Sequence, residues 1–279
     1  MKTEILKPNA AGLQNIIQYF IIFKSDTVEN IDYTTFPNTN LCLAIYKKNK
    51  IVVAQNDGRK HLFTFQGGQT YKSYLSGFHE SNFHVSINAP IDEVCIIFHP
   101  AALRLFSKVS YEELIHSDEV FQMLFPNQTD CFLEQLFEEE NSHKRVLMLE
   151  KIFMENCTRA FLSDRAREVI HTIYKGNDLK VKDLAKQLSM NESTLYRLFM
   201  DQIGQNPKSF LRTVRFRNAL NGILEFEKPK LTGIAHQNHY TDQSHFIRDF
   251  KEITGQTPSQ LRNKTSIQQE ELAWIYSQH

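Results

Sequence analysis

Arg197-Leu198-Phe199-Met200-Asp201-Gln202-Ile203-Gly204-Gln205-Asn206-Pro207 returns 51 positions later as Arg248-Asp249-Phe250-Lys251-Glu252-Ile253-Thr254-Gly255-Gln256-Thr257-Pro258. Both copies read R-x-F-x-x-x-x-G-Q-x-P without a gap. Repetition at a fixed period means one supersecondary unit used twice. The physical grammar is local. An arginine-bearing helix stops at a glycine that can enter the left-handed region, and proline opens the next helix in its first turn. Asn206 and Thr257 precede those prolines, where N-caps belong.

Working outward, the spacing predicts a helix over residues 181–188 with Val181, Leu184, Ala185 and Leu188 on one face. A turn at Ser189-Met190-Asn191 leads to a second helix over 192–203, whose inward residues are Leu195, Leu198, Phe199 and Ile203. Two short helices crossing at a small Ala185 make a helix-turn-helix. The second unit runs 231–237, turns at Asn238-His239-Tyr240 and continues over 242–254, with Phe246 and Phe250 inward. Ala235 stands 50 residues after Ala185 whereas the second helices align at 51, so the second turn is one residue longer. The outward faces carry Glu192, Ser193, Tyr196 and Arg197 in one copy, and Gln243, Ser244, His245 and Arg248 in the other. Ser163-Asp164 caps a preceding helix to Tyr174. Between the units, 207–225 reads as one helix. At 1.5 Å per residue it is about 28 Å long, close to the ~34 Å repeat of the DNA major groove.

The whole chain bounds the possibilities. Its 279 residues allow two cores, and a hydrophobic fraction of 41% with 23% charged residues is ordinary for a globular protein. Zero net charge conceals a division: residues 165–279 hold 17 Lys+Arg against 12 Asp+Glu (+5), and residues 1–164 hold 15 against 20 (−5). A basic C-terminal half points to nucleic acid. No apolar run approaches the roughly 20 residues of a membrane helix, and the apolar stretch 16–23 is too short for a signal peptide and broken by Gln18. A cytoplasmic location is expected. Cys42, Cys95, Cys131 and Cys157 are far apart without a C-x-x-C pair, as expected for reduced, mostly buried thiols.

In the N-terminal region, short apolar runs at 41–46, 51–54, 61–65, 83–87 and 94–98 alternate with turn formers such as Asn56-Asp57-Gly58, Gly67-Gly68 and Asn88-Ala89-Pro90. This pattern predicts an antiparallel sheet, sandwich or barrel after a loose start. A helical turn at 100–106 and amphipathic helices at 129–139 and 143–161 follow. His61, His79, His84 and His99 lack the H-x-H pair a cupin metal site needs, so no metal ligand is assigned. Hydrolase, NTPase and dinucleotide motifs are missing from the sequence.

Residues 164–262 resemble the DNA-binding domain of the AraC/XylS family of bacterial transcription regulators. The likeness is carried by the stretch from Leu184-Ala185 to Arg197-Leu198-Phe199, by Arg215-Phe216-Arg217-Asn218-Ala219-Leu220, by Ser244-His245-Phe246-Ile247-Arg248-Asp249-Phe250-Lys251, and by the closing Gly255–Arg262 segment. It implies that Ser193, Tyr196 and Arg197 read bases in one groove, and Gln243, Ser244, His245 and Arg248 in the next. Arginine pairs with guanine or holds phosphate, and glutamine suits adenine. Tyr196, bulky for a base reader, suits a thymine methyl or the backbone. Lys182, Lys208, Arg212, Arg215 and Lys251 are candidate phosphate contacts or solvated charges. His239 stands where the family usually has glycine, a strained position if its φ is positive. Residues 96–100 before a short helix resemble the sensor domains that precede certain bacterial regulators, without assigning a ligand residue.

The expected fold is α+β and multidomain: a β-rich, cupin-like or sandwich domain with following helices, then an all-α domain of two helix-turn-helix units joined by a long helix. The expected bounds are 1–125 for the sensor, 126–162 for a helical linker or dimerising segment, 163–262 for the DNA-binding domain and 263–279 for a tail with a short helix near 270–276. The implied function is a sequence-specific transcription regulator, an activator on family grounds, with two recognition helices in adjacent major grooves. Double-stranded DNA, a small-molecule effector, RNA polymerase and a second copy of the chain are the expected partners. No catalytic residue, cofactor or membrane partner is assigned. The competing reading is a cupin-like metal-dependent enzyme or an alkyl-acceptor repair protein fused to a DNA-binding module.

Overall fold

In the computed structural model, described here over residues 2–27, 31–56, 60–77, 79–127, 129–158, 162–176, 180–225, 230–262 and 274–276, the N-terminal half is built on two sheets. Its strands are β1 (Lys2–Leu6), β2 (Ile17–Ser25), β3 (Ile31–Thr35), β4 (Leu41–Tyr46), β5 (Asn49–Asn56), β6 (Lys60–Gly67), β7 (Lys72–Ser76), β8 (Phe83–Ile87) and β9 (Ile91–Phe98), joined by β10 (Trp274–Tyr276) from the tail. One sheet has the order β1-β2-β9-β4-β7, the other β10-β3-β8-β6-β5. Neighbours pair antiparallel except β6 and β8, which run parallel. That pair departs from the all-antiparallel expectation.

The first sheet is buried on both faces. Ile21, Phe23, Ala44, Tyr46, Cys95 and Ile97 pack toward Val85 and Ile87 of the second sheet. Their alternate neighbours Phe20, Ile22, Leu43, Ile45, Val94 and Ile96 pack toward helices. A two-sided strand shows no polar alternation, which is why the run 16–23 does not read as a strand in the sequence. The loose start expected there is in fact β1 and β2, paired Lys2↔Lys24 through Leu6↔Phe20.

The helical layer comprises a 3-10 turn (Ala102–Leu105), α1 (Tyr111–His116), α2 (Val120–Leu124), α3 (Thr129–Glu138) and α4 (Ser142–Asn156). Leu133, Leu136 and Phe137 of α3 and Leu149, Ile152 and Phe153 of α4 join the core over the first sheet. The helices within the segment expected to be a linker or dimerising segment therefore pack on the β-rich body. Arg145, 1% exposed, anchors α4 to β9 through paired bonds to Asp92 of 2.5 and 3.0 Å. The last of these helices is shorter than expected. It ends at Asn156, Cys157 is already extended, and residues 159–161 lie outside the described set. Only Cys95 of the four cysteines is buried; Cys131 and Cys157 are exposed, which corrects the expectation of mostly buried thiols.

The C-terminal half holds α5 (Asp164–Lys175), α6 (Val181–Gln187), α7 (Glu192–Gln202), α8 (Pro207–Glu225), α9 (Leu231–Gln237), α10 (Gln243–Thr254) and α11 (Pro258–Arg262). Val169, Ile173, Leu184, Leu188, Leu195, Phe199 and Phe210 form one core. Phe216, Leu220, Ile223, Ile234, Phe246, Phe250 and Leu261 form a second. The long α8 lends its first turns to one core and its last to the other. Among the described residues, the N-terminal half lends buried Ala101 and partly buried Leu162 to the first core and buried Phe36 to the second.

In the tail, residues 270–273 lie outside the described set. Trp274–Tyr276 is a strand on the edge beside β3, paired Trp274↔Thr35 to Tyr276↔Tyr33, so the expected helix is not formed there. Among the described residues no helix is long and apolar enough to cross a membrane.

Candidate nucleic-acid interface

Both helix-turn-helix units close their turns in the same way. Met190 N donates to Ala185 O (2.8 Å) and Tyr240 N donates to Ala235 O (3.0 Å). The small alanine at the crossing thus also supplies the carbonyl that pins the turn. The residue preceding each donor is left-handed: Ser189 has φ 53° and His239 φ 56°. The strained φ anticipated for His239 is present, and its partner at Ser189 escapes a reading of the sequence because serine there looks like an ordinary turn former. The extra residue of the second turn, Thr241, falls after the pivot and is exposed.

Each recognition helix is capped at its start. Asn191 accepts from Thr194 N (2.8 Å) and Asp242 accepts from His245 N (2.8 Å). At their ends the repeat's glycines enter the left-handed region, Gly204 at φ 85° and Gly255 at 75°. Asn206 and Thr257 then cap α8 and α11 through Ser209 N (2.9 Å) and Gln260 N (3.3 Å). The repeated phrase is therefore a stop and restart of the chain, written twice.

The outward faces are presented as the spacing requires. Ser193 and Arg197 of α7 are exposed, and Tyr196 is 50% exposed. On α10, Gln243, Ser244 and Arg248 are exposed. Gln243 Oε1 accepts from Thr232 Oγ1 (2.6 Å), so its amide is oriented by α9. His245 is half-buried with its ring 5.4 Å from that of Tyr240, and its Nδ1 accepts from Thr241 N (3.4 Å). It sits partly inside the turn, less projecting than the other residues expected to read bases.

The cationic candidates divide. Lys182, Lys208 and Lys251 are exposed. Arg212 is tied to α10, with Nε donating to Asp249 Oδ1 (2.7 Å) and Nη2 3.1 Å from Glu252 Oε1. Burial opposes its charge, but these two carboxylates outweigh burial and hold the guanidinium more basic than usual. Arg215 lies 5.0 Å over the Tyr240 ring, and the Tyr240 hydroxyl donates to Asp249 Oδ2 (3.1 Å). Together these groups hold α10 and the second turn to α8. Lys208, Arg212 and Arg215 nevertheless meet in a trough of about 450 Å³ along α8, joined by Lys180, His239 and Thr241. Lys180 is not distinguished by the sequence from any other surface lysine.

Comparison with known proteins places this geometry. Residues 184–264 match the family described as a helix-turn-helix domain. Residues 184–264 are an AraC-type helix-turn-helix domain. The Msm operon regulatory protein of Streptococcus mutans is 27% identical over 155 residues, covering 56% of this chain and 49% of that protein. A helix-turn-helix-type transcriptional regulator of Staphylococcus aureus is 35% identical over 85 residues, covering 30% of this chain and 11% of its own length. The C-terminal domain of AraT, a response regulator from Geobacillus stearothermophilus, is 27% identical over 39% of this chain and 91% of that one, with a TM-score of 0.35. The matched part thus spans about half the length of the first relative and far less of the second.

The AraC-type domain does not stand apart from the β-rich half. Arg104, 4% exposed, donates from Nε to Asp201 O (2.7 Å) in the last turn of α7. Its Nη1 reaches Ser107 O and Val109 O (3.2 and 2.5 Å), and its guanidinium lies 4.2 Å over the Tyr111 ring. The Tyr111 hydroxyl donates to the adjacent carbonyl, Gln202 O (3.0 Å). Asn82 N makes the matching contact on the other reader, donating to Ile253 O (2.8 Å) near the end of α10. Both recognition helices are therefore gripped at their C-terminal ends, where a helix presents unpaired carbonyls and favours a cation. The only sequence signal for Arg104 is a charge within the apolar run Ala101–Phe106. Among the described residues, no group of three or more His, Cys, Asp or Glu side chains is placed to hold a metal.

Proposed function

We propose that the chain is a sequence-specific transcription regulator, an activator, whose two recognition helices enter adjacent major grooves on one face of DNA. The observation that carries this reading is the pair of capped helices with exposed Arg197 and Arg248, set at the two ends of the 19-residue α8. Ser193, Tyr196 and Arg197 read one groove. Gln243, Ser244, His245 and Arg248 read the next. Lys182, Lys208, Lys251 and the trough containing Arg212 and Arg215 face the phosphates, a sequence-independent and salt-sensitive term. The β-rich half modulates this through a small-molecule effector or through dimerisation, and its hold on the ends of both readers is the mechanical support for that role. RNA polymerase is the further partner of an activator.

The test is binding of the purified chain to DNA fragments selected from a genomic pool. Arg197→Ala is expected to reduce affinity for the selected site by about 1–3 kcal/mol and to relax base preference at one position. An unchanged preference across site variants contradicts the assignment of Arg197.

A further inference from the structure

A polar cleft of about 450 Å³ runs along the seam between the two halves. Its size lies in the usual range for small-molecule sites, but its walls are unusual. The β-rich half contributes the amides of Gln18, Asn38 and Asn40 with the hydroxyl of Thr39. The DNA-binding half contributes the amides of Asn218 and Asn221, the buried guanidinium of Arg217 and the ring of Tyr174. Tyr174 is 53% exposed, and its hydroxyl donates to Thr39 Oγ1 across the seam (2.8 Å). Asn40 Nδ2 donates to Gln18 Oε1, which orients that pair. Among the described residues, no carboxylate lines the cleft.

Five carboxamides with one guanidinium and the ring of His99 suit a particular chemistry. A carboxamide offers donors and an acceptor together, the complement of a neutral ligand whose hydroxyls both donate and accept. A carboxylate or phosphate accepts only, and is best met by donors and positive charge. The exposed Tyr174 ring beside Val214 adds an apolar plane, which suits the C–H face of a sugar ring. We propose that this cleft is the effector site and that its ligand is a neutral polyhydroxylated molecule, a mono- or disaccharide or sugar alcohol. The proposal rests on the effector reading above and deepens it. A ligand there touches both halves at once, including α8 between the two readers. It binds the docked arrangement in preference to a separated one and shifts the population accordingly. The adjoining cavity of about 710 Å³ shares His99 and Tyr174 but is lined mostly by apolar side chains, among them Ile16, Leu105, Leu162 and Ile170, and offers far fewer carboxamides.

The test uses the full chain. Melting temperature and titration calorimetry are measured with D-glucose, D-galactose, D-xylose, maltose, sucrose and mannitol, and with acetate, benzoate and glucose 6-phosphate as anionic probes. At least one neutral compound is expected to raise the melting temperature and bind saturably. Asn38→Ala with Asn221→Ala, one residue from each wall, is expected to weaken that binding about tenfold, the loss of two hydrogen bonds of ordinary strength. The unliganded melting temperature and DNA affinity stay near those of the parent. Asn221→Ala alone, half-buried on α8, serves if the double variant does not fold, with a several-fold loss expected. The proposal is overturned if no neutral compound binds, if only the anions bind, or if saccharide binding survives the substitutions. If anions bind and alter DNA affinity, the effector reading stands and this ligand class is wrong. If saccharides bind without changing DNA affinity, the site stands and the effector reading fails.

Discussion

At the scale of single residues, two positions carry costs that can be measured. Ser189 sits at φ 53° in the first turn, where a side chain costs about 1–2 kcal/mol and glycine returns about 0.5–1 kcal/mol of that through its own entropy. Ser189→Gly is therefore expected to stabilise the protein by roughly 0.5 kcal/mol in denaturant unfolding; a net loss would show the turn is not strained. Glu93 is the second. Its carboxyl lies between the sheets, accepting from the Tyr46 hydroxyl (2.8 Å) and Cys95 Sγ (3.0 Å). Burial pushes its pKa to about 6, with the Cys95 and Tyr46 bonds pulling the other way. The folded protein thus holds a proton more tightly than the unfolded chain does. That contribution is fully present below the ordinary carboxylate pKa and is lost as pH rises through about 6. Glu93→Gln, which still accepts from Tyr46, is expected to raise neutral-pH stability by about 1–2 kcal/mol and to flatten the pH dependence on the acid side. Identical pH profiles for the two proteins would contradict this.

At the scale of elements, legibility in the sequence followed how each element meets water. The helix-turn-helix units were readable because each helix has one wet face: α8 and α9 fall where the periodicity places them, and Phe199, Phe246 and Phe250 are buried as expected. Strand β2 was not readable, because a strand covered on both faces loses the alternation that marks it. Arg104 was hidden for a different reason. Its partners, the carbonyls of Asp201 and the loop after the 3-10 turn, lie about a hundred positions away or on backbone, where side-chain patterns carry no signal. Its role can be tested directly. Arg104→Ala removes charged hydrogen bonds worth about 1.5–3 kcal/mol each, so hydrogen exchange should quicken at the end of α7 and in residues 102–111. The cores of α9 and α10, which Arg104 does not touch, should keep their protection. Unchanged exchange at the end of α7 would show that the grip is not load-carrying.

At the scale of the whole molecule, the division of charge corresponds to a division of labour. The acidic half supplies a sheet covered on both sides and a polar seam, and the basic half supplies the two proposed readers on the single helix α8. That helix is about 28 Å long by its helical rise, and the β-rich half holds the far end of each reader, so the spacing between readers is set twice over. The central claim is that this spacing matches one turn of DNA. Missing-base interference mapping on the selected site, with the full chain, tests it most directly. The expected result is two clusters of required bases centred about 10–10.5 base pairs apart on one face of the duplex, with Arg197→Ala erasing contacts in one cluster and Arg248→Ala in the other. A single cluster, or two clusters half a turn out of phase, would contradict it.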